Sequence, residues 1–326
     1  MNSVLFAQIE PTTKCNFTCG FCCGRQMDQS NLSLSKFKQV LALFPDIEHL
    51  ELQGEGEPLI YPEFFEMIDL ASKKGIKISF ITNGSLLTDA NIQRILDSNI
   101  TSIRVSLETA DPEKFKKIRG GSFAVVEKNI MRLMAARSQQ GLDKPSIGFA
   151  LTVLASTLSD MPSIFELYCR LGLDGGIAIQ ALNKMPQYTQ SYEEMMQTEY
   201  LIREKHQEEY QIYMTSEIVQ KIWQEKSPHT HFYDELFKAR PADVEKGKLA
   251  ACPWLEEGIN VDRHGRVTPC CMVKGESWSF GTLEDLARET ILLERSKLAD
   301  QLKAGQIPIP CQDCHIAAAI VAKARV

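Results

Sequence analysis

Phe6-Ala7-Gln8-Ile9-Glu10, followed after Pro11-Thr12-Thr13-Lys14 by Cys15-Asn16-Phe17-Thr18-Cys19-Gly20-Phe21-Cys22, is a short strand-like run that delivers three thiols into one loop. The strand-like pattern recurs along the chain. Further β-rich runs lie at Ile47 to Gln53, Lys77 to Thr82, Ser102 to Leu107, Ile147 to Val153 and Gly176 to Ala181. Helical periodicity fills the gaps, at about Ser35 to Phe44, Pro62 to Lys74, Asp89 to Ser98, Ser122 to Gln140 and Asp160 to Arg170. Strands alternating with amphipathic helices predict a parallel sheet with crossover helices. Right-handed crossovers would curl these six units into a partial (βα)6 TIM-like barrel, α/β in class, over residues 1–182.

Such barrels carry their sites at the C-terminal strand ends. The cysteine loop follows strand one, Gly54-Glu55-Gly56-Glu57-Pro58 follows strand two, and Thr82-Asn83-Gly84 ends strand three. Ser106-Leu107-Glu108 ends strand four, and Gln180 lies at the end of strand six. Each segment alone has an ordinary reading as a turn or a helix cap. Their collection on one rim points to a site.

Residues 183–250 change character, becoming charged and aromatic with helical periodicity and no strand pattern, and read as a helical bridge. In residues 251–326, Gly258 to Asp262 and Arg266 to Met272 form an expected β-hairpin turned by Arg263-His264-Gly265. Helices are expected near Leu283 to Arg288 and Leu293 to Ala304.

The chain of 326 residues has a formal net charge of -6, which gives no general electrostatic reason to bind nucleic acid or an anionic membrane. It shows no signal-peptide pattern and no apolar run long enough to span a bilayer, so a cytoplasmic location is expected. In that reducing compartment ten cysteines read as free thiols or metal ligands. Cys15, Cys19 and Cys22 have the spacing CxxxCxxC, and three thiolates leave one iron of a cubane cluster open to a further ligand. The competing reading is structural zinc. Cys252, Cys270 or Cys271, Cys311 and Cys314 form a second set, through Cx12Gx4C about Gly265 and a CxxC. Four ligands suit a fully coordinated cluster for electron transfer or structure, with zinc again the alternative. Cys23 and Cys169 read as buried free thiols. The histidines, at 49, 206, 229, 231, 264 and 315, show no ligand spacing.

The N-terminal spacing, with aromatic Phe21 before the third cysteine, resembles the signature of the radical S-adenosylmethionine (SAM) superfamily. Gly54 to Pro58 is similar to that family's GGEP motif, with Glu55 where a second glycine is common. The resemblance implies that Gly54, Glu55, Gly56 and Glu57 meet the methionine amino group of bound SAM and that Asn83 lies at the polar strand-three end. By the same resemblance Ser106 and Glu108 meet ribose and methionine, Arg119 reaches the carboxylate, and Phe21 with Gln180 to Leu182 borders the adenine. The C-terminal set resembles the opening of a SPASM domain without its later cysteines, that is, the shorter twitch module with one auxiliary cluster.

The implied cofactors are two 4Fe-4S clusters and SAM, with an electron donor such as flavodoxin or ferredoxin. The implied chemistry is one-electron cleavage of SAM to a 5′-deoxyadenosyl radical that takes a hydrogen atom from a substrate. Modification of a peptide by oxidation, cross-linking or epimerisation is the leading expectation. Dehydrogenation of a small polyol or aminocyclitol is the alternative, since a twitch dehydrogenase of aminoglycoside biosynthesis has a similar layout, and a non-catalytic metal-binding scaffold is a third reading. The barrel pattern starts almost at Met1, which leaves no room in this sequence for an N-terminal leader-binding domain. Cys270 is the expected auxiliary ligand, and strand alternation would turn Cys271 to the opposite face, as a buried thiol or as a hydrogen-atom donor like those of radical peptide epimerases.

Overall fold

A computed structural model of the chain describes residues 3–184, 186–226, 233–234, 251–274, 276, 278–312 and 314–324. The strands expected from the sequence all form: β1 Phe6–Ile9, β2 His49–Leu52, β3 Lys77–Thr82, β4 Ile100–Leu107, β5 Ser146–Val153 and β6 Ile177–Ala181, each paired in parallel with the next. The intervening helices are α1 Leu34–Leu43, α2 Phe64–Ser72, α3 Asp89–Leu96, α4 Pro112–Arg119, α5 Phe123–Gln139 and α6 Met161–Arg170. The result is a mixed α/β fold on a parallel sheet core.

Strand alternation divides the sheet chemically. Ile103, Val105 and Leu107 of β4, like Ile147, Phe149, Leu151 and Val153 of β5, are buried at 2% exposure or less in the core shared with the helices. The residues between them, Arg104 and Ser106 on β4 and Thr152 on β5, face the concave side together with Gln8, Glu51, Gln53 and Gln180. An apolar outer layer thus carries a polar lumen.

Four departures from the sequence reading have local causes. Helix α4 has no counterpart among the expected elements, although Asp111 caps it by accepting from Lys114 N, Pro112 opens it and Gly120 closes it at φ 72°. Among the described residues the sheet has ten strands, with β7 Tyr233–Asp234 beyond β6 and β8 Gly258–Val261, β9 Arg266–Thr268 and β10 Gly281–Thr282 beyond β1, in the order β10-β9-β8-β1-β2-β3-β4-β5-β6-β7. The C-terminal hairpin, β8 Gly258–Val261 and β9 Arg266–Thr268, adds to this same sheet because β8 pairs in parallel with β1. Strand β9 ends at Thr268, short of the expected Met272, where Pro269 removes the next backbone donor. The helix expected at Leu283 to Arg288 is instead a turn after β10 Gly281–Thr282, closed by Asp285 N on Thr282 O and by Thr282 Oγ1 on Asp285 Oδ2.

Within residues 183–250 the helices α7 Pro186–Thr189, α8 Arg203–Met214 and α9 Glu217–Lys226 have the expected character, but β7 Tyr233–Asp234 pairs in parallel with β6 where no strand is expected. The rest of that span after 226, with His229 and His231, lies outside the described residues. Further along the chain are α10 Pro253–Glu257, α11 Arg288–Lys303 and α12 His315–Ala324. Leu255, Ala299, Leu302, Ala317, Ile320 and Val321 make a second small core among them. Among the described residues no helix is long and apolar enough to cross a membrane.

Candidate functional site

The cysteine loop is held at the rim by backbone bonds to the end of α4: Thr18 N donates to Arg119 O at 3.0 Å and Gly20 N to Ile118 O at 3.2 Å. Gly120 cannot be replaced without conflict, since a Cβ there would stand 2.1 Å from Thr18 Oγ1 and its positive φ disfavours other residues. On the other side the loop meets the glycine-rich segment after β2. Glu57 N donates to Lys14 O at 2.9 Å, and a Cβ on Gly56 would lie 2.5 Å from Thr12 O and 2.6 Å from Lys14 O. A Cβ on Gly54 would meet Glu10 Cγ at 2.3 Å. These two glycines therefore let the strand-two loop lie directly against the thiol loop. Glu10 completes the seam, accepting from Glu55 N at 2.9 Å and pairing with Arg263.

Several side chains that the sequence reading directs at a cofactor are engaged with the protein itself. Glu57 accepts from Thr82 Oγ1, Asn83 N and Leu59 N, tying the ends of β2 and β3 together, and its burial outweighs those bonds to raise its pKa. Asn83 Nδ2 donates to Asn16 Oδ1 at 2.9 Å and lies 3.9 Å from Cys15 Sγ. Arg119 donates through two nitrogens to both carboxylate oxygens of Glu108, a buried bidentate pair. Its Nη1 also reaches Cys19 Sγ at 3.9 Å. Burial pulls the Arg119 pKa down, but the Glu108 charge more than offsets this and leaves it above the ordinary value. Glu55 pairs with Lys274 at 2.9 Å; burial acts to raise its carboxyl pKa, and Lys274 more than offsets that to hold it below the usual range.

Phe21 packs with Leu182 in a small apolar cluster that includes Ile118 and Leu154. Ser106 is half-buried on the lumen side, whereas Gln180 is exposed, with its Nε2 3.5 Å from Thr152 Oγ1. Glu51, which the sequence reading does not single out, also faces the lumen, and burial raises its carboxyl pKa against the attraction of Arg104. Its position after an apolar residue in β2 is the available signal.

Burial raises the pKa of all three N-terminal thiols, Cys19 to about 11 and Cys22 to about 12, and each of these two feels Cys15. In the second set burial likewise raises Cys252, Cys270 and Cys311, the last to about 12. The thiols near Cys270 are those of Cys271, Cys252 and Cys314, and those near Cys311 are Cys314 and Cys252, so the four expected ligands share one neighbourhood beside the second core. Cys271 is different. Its charged neighbours are Lys274, Glu51 and Glu55, on the barrel side. The pair is separated within a bend and turn rather than by strand alternation.

Among the described residues no group of three His, Cys, Asp or Glu side chains stands in metal-holding geometry. The thiols converge in neighbourhood, and coordination would require their side chains to turn. The donor chemistry fits an iron-sulfur group: each set is all sulfur, and the N-terminal one lies in a loop with backbone packed on both sides.

Residues 9–167 match the family described as the Radical SAM superfamily. The chain is 23% identical over 273 residues to the tungsten-containing aldehyde ferredoxin oxidoreductase cofactor-modifying protein of Pyrococcus furiosus, covering 81% of this chain and 70% of that protein. It is 31% identical over 188 residues to a probable GTP 3',8-cyclase of Methanococcus aeolicus, covering 55% of this chain and 59% of the relative. The match thus spans less than two thirds of that cyclase's length. Among solved structures, Streptococcus suis SuiB bound to precursor peptide SuiA superposes with a TM-score of 0.71 at 14% identity, covering 90% of this chain and 65% of SuiB. That likeness concerns the fold.

Proposed function

We propose, from the match of residues 9–167 to the Radical SAM superfamily, that the chain is an enzyme that reductively cleaves SAM and removes a hydrogen atom from a peptide substrate. The observation that carries this reading is the three-thiol loop Cys15 to Cys22, pinned between the glycine-rich loop after β2 and the end of α4 on the open rim of a polar barrel. Cys15, Cys19 and Cys22 would hold one 4Fe-4S cluster, and Cys252, Cys270, Cys311 and Cys314 an auxiliary one. When bound, the first cluster and SAM supply the electron transfer and the hydrogen-atom abstraction.

The protein's own part is to bind, orient and enclose. Gly54 and Gly56, by carrying no side chain, let the loop after β2 close on Glu10 and on the backbone of Thr12 to Lys14, which sets the thiol loop at the rim. Glu57 and Asn83 fix the strand ends on which the thiol loop rests. Phe21 and Leu182 form an apolar wall for the adenine, and Ser106 offers a hydroxyl on the lumen side. Arg119 and Glu108 act through the thiol loop, by charge and by backbone support. A peptide is favoured over a small polyol by the likeness in fold to a protein bound to its precursor peptide. The lumen suits amide groups, with Gln53 Nε2 donating to Gln8 Oε1 at 3.0 Å and Glu51 and Arg104 nearby. Flavodoxin or ferredoxin would supply the electron, in a cytoplasmic setting.

The test is anaerobic reconstitution with iron and sulfide, followed by assay for 5′-deoxyadenosine after reduction with SAM. The expected result is about eight irons per chain, about half that after Cys15, Cys19 and Cys22 are together replaced by alanine, and deoxyadenosine formation by the parent protein only. Zinc in both sites, or no deoxyadenosine from an iron-loaded protein, would refute the reading. Screening short precursor peptides against polyols and aminocyclitols then decides the substrate class.

A further inference from the structure

The loop after β2 and the turn after β9 meet in one buried charge pair. Lys274 Nζ lies 2.9 Å from Glu55 Oε1, with the two side chains only 16% and 17% exposed. Glu55 is also built into the thiol loop. Its carbonyl oxygen is 3.6 Å from Cys22 Sγ, and a Cβ on Gly24 would stand 2.6 Å from Glu55 Cβ. Lys274 belongs to the other side. It follows Cys270 and Cys271 in the same turn, and its ammonium lies 5.7 Å from the ring centre of Tyr188, whose hydroxyl donates to Cys271 O at 3.1 Å.

An exposed pair would contribute little, but in a buried one the loss of either partner leaves an uncompensated charge in a poorly solvated place. We propose that Glu55 and Lys274 form an electrostatic latch that positions the Cys270-Cys271 turn against the Cys15-to-Cys22 loop and balances the charge beside Cys22. Glu55 is where the GGEP-like motif departs from a second glycine, and Lys274 is what that departure reaches. The inference rests on the reading of Cys15, Cys19 and Cys22 as cluster ligands. Reduction adds negative charge to such a cluster, so a nearby unbalanced carboxylate disfavours it and an unbalanced ammonium favours it. The two partners should therefore pull the reduction potential in opposite directions.

The experiment uses the full chain, reconstituted anaerobically, as parent, Lys274→Met, Glu55→Gln and the double variant. Iron content is measured first, and redox titration is then followed by electron paramagnetic resonance on the signal that changes when SAM is added, since only an iron without a protein ligand can take it up. Lys274→Met should lower the potential, Glu55→Gln should raise it, and the double variant should return toward the parent. A single variant that loses iron while the double keeps it also supports the latch. Shifts of the same sign, no shift, a double variant that fails to return toward the parent, or iron loss that persists in the double variant overturn it. A parent protein with no reducible iron-sulfur signal overturns the cluster reading itself, whereas a normal parent signal with unshifted variants overturns the latch alone.

Discussion

Arg119→Met is the substitution whose cost can be worked most directly from the structure. Arg119 is 6% exposed and Glu108 2%, and the guanidinium meets both carboxylate oxygens. The substitution keeps most of the side-chain bulk but leaves a buried carboxylate without its counter-ion. Breaking one side of such a pair costs about 3–5 kcal/mol, a large share of a total stability of about 5–15 kcal/mol. The loss should depend on pH. Burial already raises the Glu108 carboxyl pKa against the attraction of Arg119, and loss of that attraction raises it further above its unfolded value of about 4.3. A group raised in this way is least costly when protonated, so the deficit is largest near neutrality and shrinks as pH falls toward about 5. Urea unfolding of the apoprotein under reducing conditions, at about pH 7.5 and about pH 5.5, measures both effects. Adding Glu108→Gln removes the stranded charge and should restore part of the stability at the higher pH. A loss under about 1 kcal/mol at neutrality, or one equal at both pH values, would show that the pair is not a structural element of the rim.

Gly56→Val should abolish iron incorporation as well as SAM binding, because its Cβ would enter the backbone of Thr12 to Lys14 that supports the thiol loop; iron content equal to the parent's would refute this. Iron loading of the apoprotein should improve as pH rises from about 7 to about 9, because burial holds Cys19 and Cys22 protonated and each must lose its proton to bind. A loading curve flat over that range counts against buried thiols as the ligands.

The sheet was legible because apolar and polar residues alternate at period two in the strands and at helical period between them. In β3, Lys77–Thr82, the expected and observed ends coincide. Helix α4 was equally legible from Asp111, Pro112 and Gly120, yet it is short and strongly basic, with Phe115 and Ile118 alone after its proline to mark an apolar face. The two-residue strands β7 and β10 are too brief for any pattern. Charge pairing was not legible. The sequence places Arg119 near a rim and Glu55 in a motif, but burial of either charge demands a partner, and the sequence does not say which of many residues supplies it. The fold chose Glu108, eleven positions away, for one and Lys274, in the distant turn after β9, for the other.

That turn gives Cys270 and Cys271 different surroundings, and the difference makes the role of Cys271 testable. Cys270 lies among Cys252 and Cys314, while Cys271 lies among Lys274, Glu51 and Glu55 at the lumen. Burial raises the Cys271 pKa to about 11 against the pull of Lys274, so the group carries its hydrogen at neutral pH. A hydrogen-atom donor needs that S–H bond intact. It would break as a C–H bond forms on the substrate radical, and the thiyl left behind would be restored by one electron from an iron-sulfur reductant and one proton from solvent. Because thiol hydrogen exchanges with solvent, reaction in deuterated water should place one deuterium at the altered carbon of a product no more oxidised than its substrate. Cys271→Ala should keep the parent's iron content and deoxyadenosine formation but lose that product. If the variant makes the deuterated product at the parent's rate, the hydrogen comes from elsewhere and Cys271 is a packing thiol; if it loses iron as well, Cys271 belongs with the auxiliary ligands.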